Sequence, residues 1–128
     1  MKLSRQNLKN LVLKYFRGVD EQNLTTIFET LRPDLLFFVK THGIELTGEL
    51  QIKRMFHRLW AKHLAVKHDR FNFVIDVKKQ AVSVQFEVTN TLLDGSLIHK
   101  SNSNFFIVNS GLFSNISVYM AGENTLDI

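Results

Sequence analysis

Apolar side chains at Leu8, Leu11, Val12, Tyr15, Phe16 and Val19 recur at the three- and four-residue spacing of one helix face. Ser4 stands where an N-cap belongs, and Gly18 where a helix commonly ends. Leu24, Ile27, Phe28 and Leu31 make a second, shorter face. Pro33 closes it, because the residue before a proline is pushed out of the helical region. Leu35 to Lys40 then reads as a strand, and Thr41-His42-Gly43 as a turn into a short strand over Ile44 to Leu46. Thr47 is the expected cap of a third helix with the stripe Ile52, Phe56, Leu59, Trp60, His63 and Leu64.

The period then changes. Phe71, Phe73, Ile75 and Val77 alternate with Asn72, Val74, Asp76 and Lys78, and Val82, Val84, Phe86 and Val88 alternate with Ser83, Gln85, Glu87 and Thr89. This is the period of two of strands with one buried and one wet face. Asp94-Gly95 is a hairpin turn. Leu97 to Val108 is a long strand, Asn109-Ser110-Gly111 the next turn, and Leu112 to Met120 the last strand. Only the tail after Gly122 looks loose. Tight turns make antiparallel neighbours, and a sheet apolar on one side must be covered by the helices that precede it. The class is α+β, with three N-terminal helices on one face of a curved antiparallel sheet, in a single domain over residues 1–128.

Composition narrows the chemistry. With 128 residues, 45% of them apolar and 22% charged, the chain can bury a core without covalent staples. It has no cysteine, which excludes disulfides, thiolate metal sites and cysteine nucleophiles. Eleven phenylalanines stand against one tryptophan and two tyrosines, so the interior is aromatic. The net charge of +4 is an ordinary solubility charge, and the basic positions of the helices fall opposite the apolar stripes, as solvated faces do. No apolar run reaches membrane-span length and no secretory signal opens the chain, which predicts a cytoplasmic protein without a membrane contact. There is no phosphate loop, nucleophile elbow, metal motif or nucleic-acid module, so neither cofactor, metal nor nucleic acid is expected.

The first helix around Leu11-Val12-Leu13-Lys14-Tyr15-Phe16, the amphipathic Asn23 to Phe28, and a strand pair ending in Thr47-Gly48 resemble the nuclear transport factor 2-like superfamily. Ketosteroid isomerase and the SnoaL-like polyketide cyclases are members. The resemblance covers roughly Leu8 to Met120 and implies a cystatin-like cone with a pocket at its open end, and a homodimer through the sheet. It also implies roles for particular positions. Tyr15 falls where ketosteroid isomerases keep an oxyanion-hole tyrosine, and Asn104 where they keep a protonated aspartic acid. Val39 falls where they keep the aspartate base. A valine cannot take a proton, so isomerase chemistry of that type is not expected.

Four further observations bear on function. Asn102, Asn104, Phe106 and Val108 share one strand face; if it looks inward, two amides are buried and need partners. Between Gln80 and Met120 the only acids are Glu87 and Asp94, one on a wet face and one in a turn, so no carboxylate acid–base pair is expected there. His57, His63 and His68 are not spaced for a shared metal; His63, on an apolar stripe, reads as a satisfied core histidine. His42, in a turn, and His99, on a strand, are the weak candidates for a base. The resulting expectation is a small hydrophobic ligand anchored by Tyr15, Asn104 and Asn102, between walls of Phe37, Val39, Phe56, Trp60, Phe86 and Phe106. The alternative is a non-enzymatic dimeric module whose cone is plugged by side chains and whose outer sheet face, with Phe105 and Ile107, binds protein.

Overall fold

A computed structural model describes residues 1–126. Helix α1 (Arg5–Asp20) is capped by the Ser4 hydroxyl, which accepts from the Asn7 N–H. It runs two residues past Gly18. That glycine is a spacer and not a terminus: a Cβ there would lie 2.8 Å from Ile27 Cγ1 and 3.0 Å from the Ile27 backbone nitrogen. Helix α2 (Leu24–Phe28) is capped by Asn23 and ends earlier than its apolar face suggests. Leu31 and Pro33 belong to strand β1 (Leu31–Val39), whose pairing is irregular between Leu31 and Leu36. A proline is tolerated in a strand where the ladder is interrupted. A single 3-10 turn (Lys40–His42) leads to β2 (Ile44–Thr47) and α3 (Glu49–Ala61). Gly48, not Thr47, is the residue before α3, and the Thr47 N–H instead donates to Gln51 Oε1 at 2.9 Å.

His63 and Leu64 are not on α3 but open β3 (His63–Asp76), eight residues before its apolar alternation begins. Strands β4 (Ala81–Leu92), β5 (Leu97–Asn109) and β6 (Leu112–Tyr119) follow, joined by the expected turns. The sheet order is β2-β1-β6-β5-β4-β3. It is mixed and not wholly antiparallel, since β1 runs parallel to β6. No tight turn joins those two, so turn lengths could not set their direction. The architecture is α+β and cone-like: three helices close one side of a curved six-stranded sheet. The cone is packed with Leu8, Val12, Tyr15 and Phe16 of α1, Ile27 of α2, Ile52, Met55 and Phe56 of α3, and the inward faces of the strands.

One irregularity positions the site. Register in β3 shifts between Asp69 and Asn72, and Arg70 there has a left-handed backbone, φ 56°. The extra residue of such a bulge changes which parity faces inward. Val66 and His68 face the core before it, and Phe71, Phe73 and Ile75 pack on the core after it. Gly122–Leu126 does not hang free. Leu126 packs against the core cluster, and the Ala121 N–H donates to Asn102 Oδ1 at 3.0 Å. Residues 127–128 lie outside the described residues.

Candidate functional site

β5 supplies the first polar wall of the cone. Asn104 pairs in register with Val84 and Val118, and Asn102 with Phe86, so both asparagines face inward with Phe106. Asn104 is 3% exposed, and its Oδ1 has no hydrogen-bond partner among the described residues. Asn90, 1% exposed at the far end of β4, is in the same position. A buried amide oxygen without a partner costs about 1–3 kcal/mol. Neither residue is therefore explained by packing. Asn90 drew no attention in the sequence because it extends an apolar alternation by one polar residue.

Across the cone, Tyr15 is buried among edge-on Phe16, Phe56, Phe106 and Phe113, with ring centroids 5.3–6.3 Å away. Burial pushes its phenol well above the usual range, because the phenolate would lose its hydration. Tyr15 is thus a neutral hydrogen-bond donor at any physiological pH.

The group that sequence reasoning missed is a histidine–carboxylate pair. His68 Nδ1 lies 2.5 Å from Asp20 Oδ1, and the His68 backbone N–H donates to Asp20 Oδ2 at 2.9 Å. Both oxygens of the carboxylate are engaged by one residue, which fixes its orientation. Because a carboxylate only accepts, Nδ1 carries the proton in the neutral ring and Nε2 is left with a free lone pair. The imidazole sits between Phe16 and Phe86, with centroids 4.8 and 5.3 Å away. Asp20 stands at the C-terminal end of α1, where the helix dipole disfavours a negative charge. The extension of α1 past Gly18 brings the acid to β3, and the bulge at Arg70 lets His68 share the inward face with Phe71. Two signals were available: an acid at a helix C-terminus, and an apolar alternation whose phase breaks between Val66 and Phe71.

Tyr15, Phe56, Phe86, Asn90, Asn102, Asn104 and His68 border one cavity of about 40 Å³. Phe37, Val39 and Phe106 are buried elsewhere in the core and do not border it. Trp60 lies outside it, stacked on Phe56 with Nε1 donating to the Val19 carbonyl at 3.0 Å. His42 contacts Thr41 Oγ1 and the Gly122 carbonyl, and His99 contacts Thr89 Oγ1 on the outer face; neither borders the cavity. His63 is buried with Nδ1 2.7 Å from the Leu59 carbonyl, a satisfied core histidine as expected. Among the described residues no group of three or more His, Cys, Asp or Glu is placed to hold a metal, and no helix is long and apolar enough to cross a membrane.

No family model matches the chain, and no curated protein matches it. Solved structures do. A candidate polyketide cyclase from Xanthomonas campestris pv. campestris superposes with TM-score 0.82 at 14% identity, over 90% of each chain. A protein of unknown function from Exiguobacterium sp. 255-15, described as NTF2-like, gives 0.75 at 15% identity, over 88% of this chain and 99% of its own. The fold is nuclear transport factor 2-like. AclR from Streptomyces galilaeus, a candidate hydroxylase, shares this nuclear transport factor 2-like fold with TM-score 0.78 at 12% identity, over 91% of this chain and 80% of its own. Different reactions are thus ascribed to one nuclear transport factor 2-like frame, and the frame alone chooses none of them.

Proposed function

We propose that the cone binds a small, largely apolar carbonyl compound and that His68, oriented by Asp20, moves a proton on it. The observation that carries this reading is the Asp20–His68 pair at the cavity wall. With Nδ1–H donated to Asp20, Nε2 takes a proton from the carbon beside the carbonyl. The C–H electron pair moves into the new carbon–carbon double bond, and the carbonyl oxygen becomes an enolate oxygen. Tyr15 and the Asn104 amide are the neutral donors available to that oxygen. Return of the proton from Nε2 to another carbon completes an isomerisation. In a cyclisation the enolate carbon attacks a second carbonyl, whose π electrons move to its oxygen, and that oxygen takes the proton back from Nε2. The fold neighbour described as a candidate polyketide cyclase supports the substrate class. The sequence pointed to binding more than chemistry because the late strands lack a pocket acid; the acid offered instead comes from the end of α1.

Deuterium wash-in from D2O into a panel of cyclic ketones and β-dicarbonyl compounds, followed by NMR, tests the step. The wild-type protein accelerates exchange at the α-carbon of at least one compound. His68→Gln and Asp20→Asn each lower that rate by roughly 10²-fold or more, and Tyr15→Phe lowers it less. Equal exchange by wild type and His68→Gln would falsify the assignment.

The interaction-module reading keeps one support, since 40 Å³ holds a few waters and not a ligand. Phe105 and Tyr119, both more than a third exposed on the outer sheet face, support self-association there. Sedimentation of wild type and Phe105→Glu measures it: a dimer that the substitution dissociates is the expected result.

A further inference from the structure

Lys100 is on the inward face of β5, one pleat beyond Asn102 and opposite Val88 on β4. It is 8% exposed. Lysine is almost never that buried without a charged partner. Here its ammonium donates to the main-chain carbonyl of Glu123. Desolvation pulls its pKa down, and the charge of Glu123 only partly offsets that.

The segment supplying that carbonyl also covers the cavity. Thr125 and Leu126 border it, and Leu126 packs on the core. The Gly122 carbonyl faces His42 Nε2 at 2.9 Å. The segment fits its place imperfectly. Asn124 Nδ2 is buried without a partner among the described residues, and the amide oxygens of Asn90 and Asn104 beneath it stay unanswered. Leu126, Thr125 and the Glu123 carbonyl are what the segment places in the mouth of the cone.

We propose that Gly122–Leu126 occupies the place of a ligand, and that Lys100 is the contact for the carboxylate of an organic acid with an apolar body. This rests on the reading of the cone as a ligand pocket and adds the charge of what enters it. The acid displaces the segment, its carboxylate replaces the Glu123 carbonyl on Nζ, and its apolar body takes the space of Leu126. Asn102, one pleat deeper, keeps its bond to the Ala121 N–H, and Asn90 and Asn104 lie further along the cavity wall. A carboxylate answers a buried ammonium better than a peptide carbonyl does, because the bond is assisted by charge on both sides.

Binding of 2-naphthoate and of its neutral methyl ester, measured by titration calorimetry, separates the two readings. The full chain binds the acid at least about tenfold more tightly than the ester, the gain expected of a hydrogen bond between two charged groups. Lys100→Met brings the two affinities together, while circular dichroism and thermal unfolding verify that it folds. A chain ending at Ala121 binds both compounds more tightly and keeps their ratio; Leu126→Ser in the full chain does the same more weakly should the shorter chain fail to fold. If the ester binds and the acid gains nothing, or if Lys100→Met keeps the preference, the role of Lys100 is overturned while the pocket stands. If neither compound binds any of these variants, both readings fall.

Discussion

Within one strand, the inward face of β5 changes character. Phe106 and Val108 lie at its closed end, and Asn104, Asn102 and Lys100 lie toward the mouth. At the closed end each side chain is answered by another: Phe106 meets Phe113 at 4.7 Å, Tyr15 at 5.7 Å and Phe16 at 6.0 Å. At the mouth, Asn104 and Asn90 keep unpartnered oxygens, and the Lys100 ammonium donates to a peptide carbonyl while the charge of Glu123 only partly offsets its desolvation. The closed end is built to hold the fold together. The mouth gives up stability, and proteins usually do so where something else must bind.

The largest test of that contrast is Phe106→Ala. The ring is fully buried and sits in the aromatic cluster, so its loss leaves a void the strands cannot close. Urea unfolding should show a destabilisation of about 3–5 kcal/mol. A loss under about 1 kcal/mol would mean that the closed end is loosely packed and that the two ends do not differ in kind.

The same contrast decides what the sequence could show. Apolar periodicity marks one face of α1, α3, β4 and the deep half of β5, and those elements stand where it places them except that α3 ends at Ala61, short of His63 and Leu64. The order of the elements gives the α+β class, and the resemblance to nuclear transport factor 2-like proteins implies the cone. The mouth is built from polar residues, and a polar residue looks the same in sequence whether it is wet or buried. Asn104 was visible because it sits two places from Phe106; Lys100 lies on the same face, but lysine is a residue type that is mostly exposed. The first part of β3 was hidden for another reason. The bulge at Arg70 shifts the phase between Val66 and Phe71, so no single alternation spans the strand, and His68 falls in the gap. Its partner Asp20 lies 48 residues away, and only the tertiary path of α1 past β3 brings the two together.

Asn104→Val is the intermediate test, and its sign is opposite to that of Phe106→Ala. The new side chain lies between Val84 and Val118 and removes an amide whose oxygen has no partner. Stability should rise by about 1–2 kcal/mol, since an unsatisfied buried polar group is removed and no bond to its oxygen is lost. Exchange catalysis or ligand affinity should fall in the same variant. A protein that is destabilised instead would show that an ordered water already satisfies Asn104, and the mouth would then be as settled as the closed end.

The smallest effect lies at Lys100 and appears as a pH dependence. Burial lowers its pKa in the folded chain below the ordinary value of about 10.4. Between the lowered value and the ordinary one, the unfolded chain holds more protons than the folded one, so stability rises with pH across that window. At lower pH both states are fully protonated, and the cost of burying the ammonium is constant. Lys100→Met removes the group and with it the rise. Unfolding free energies of both proteins, measured from neutral pH to about 10.5, isolate the effect, because every other titrating group cancels in the difference. The deficit of wild type against Lys100→Met should shrink as pH increases. A difference that stays flat would place the ammonium in water, and the mouth of the cone would then carry one fewer charge awaiting a partner.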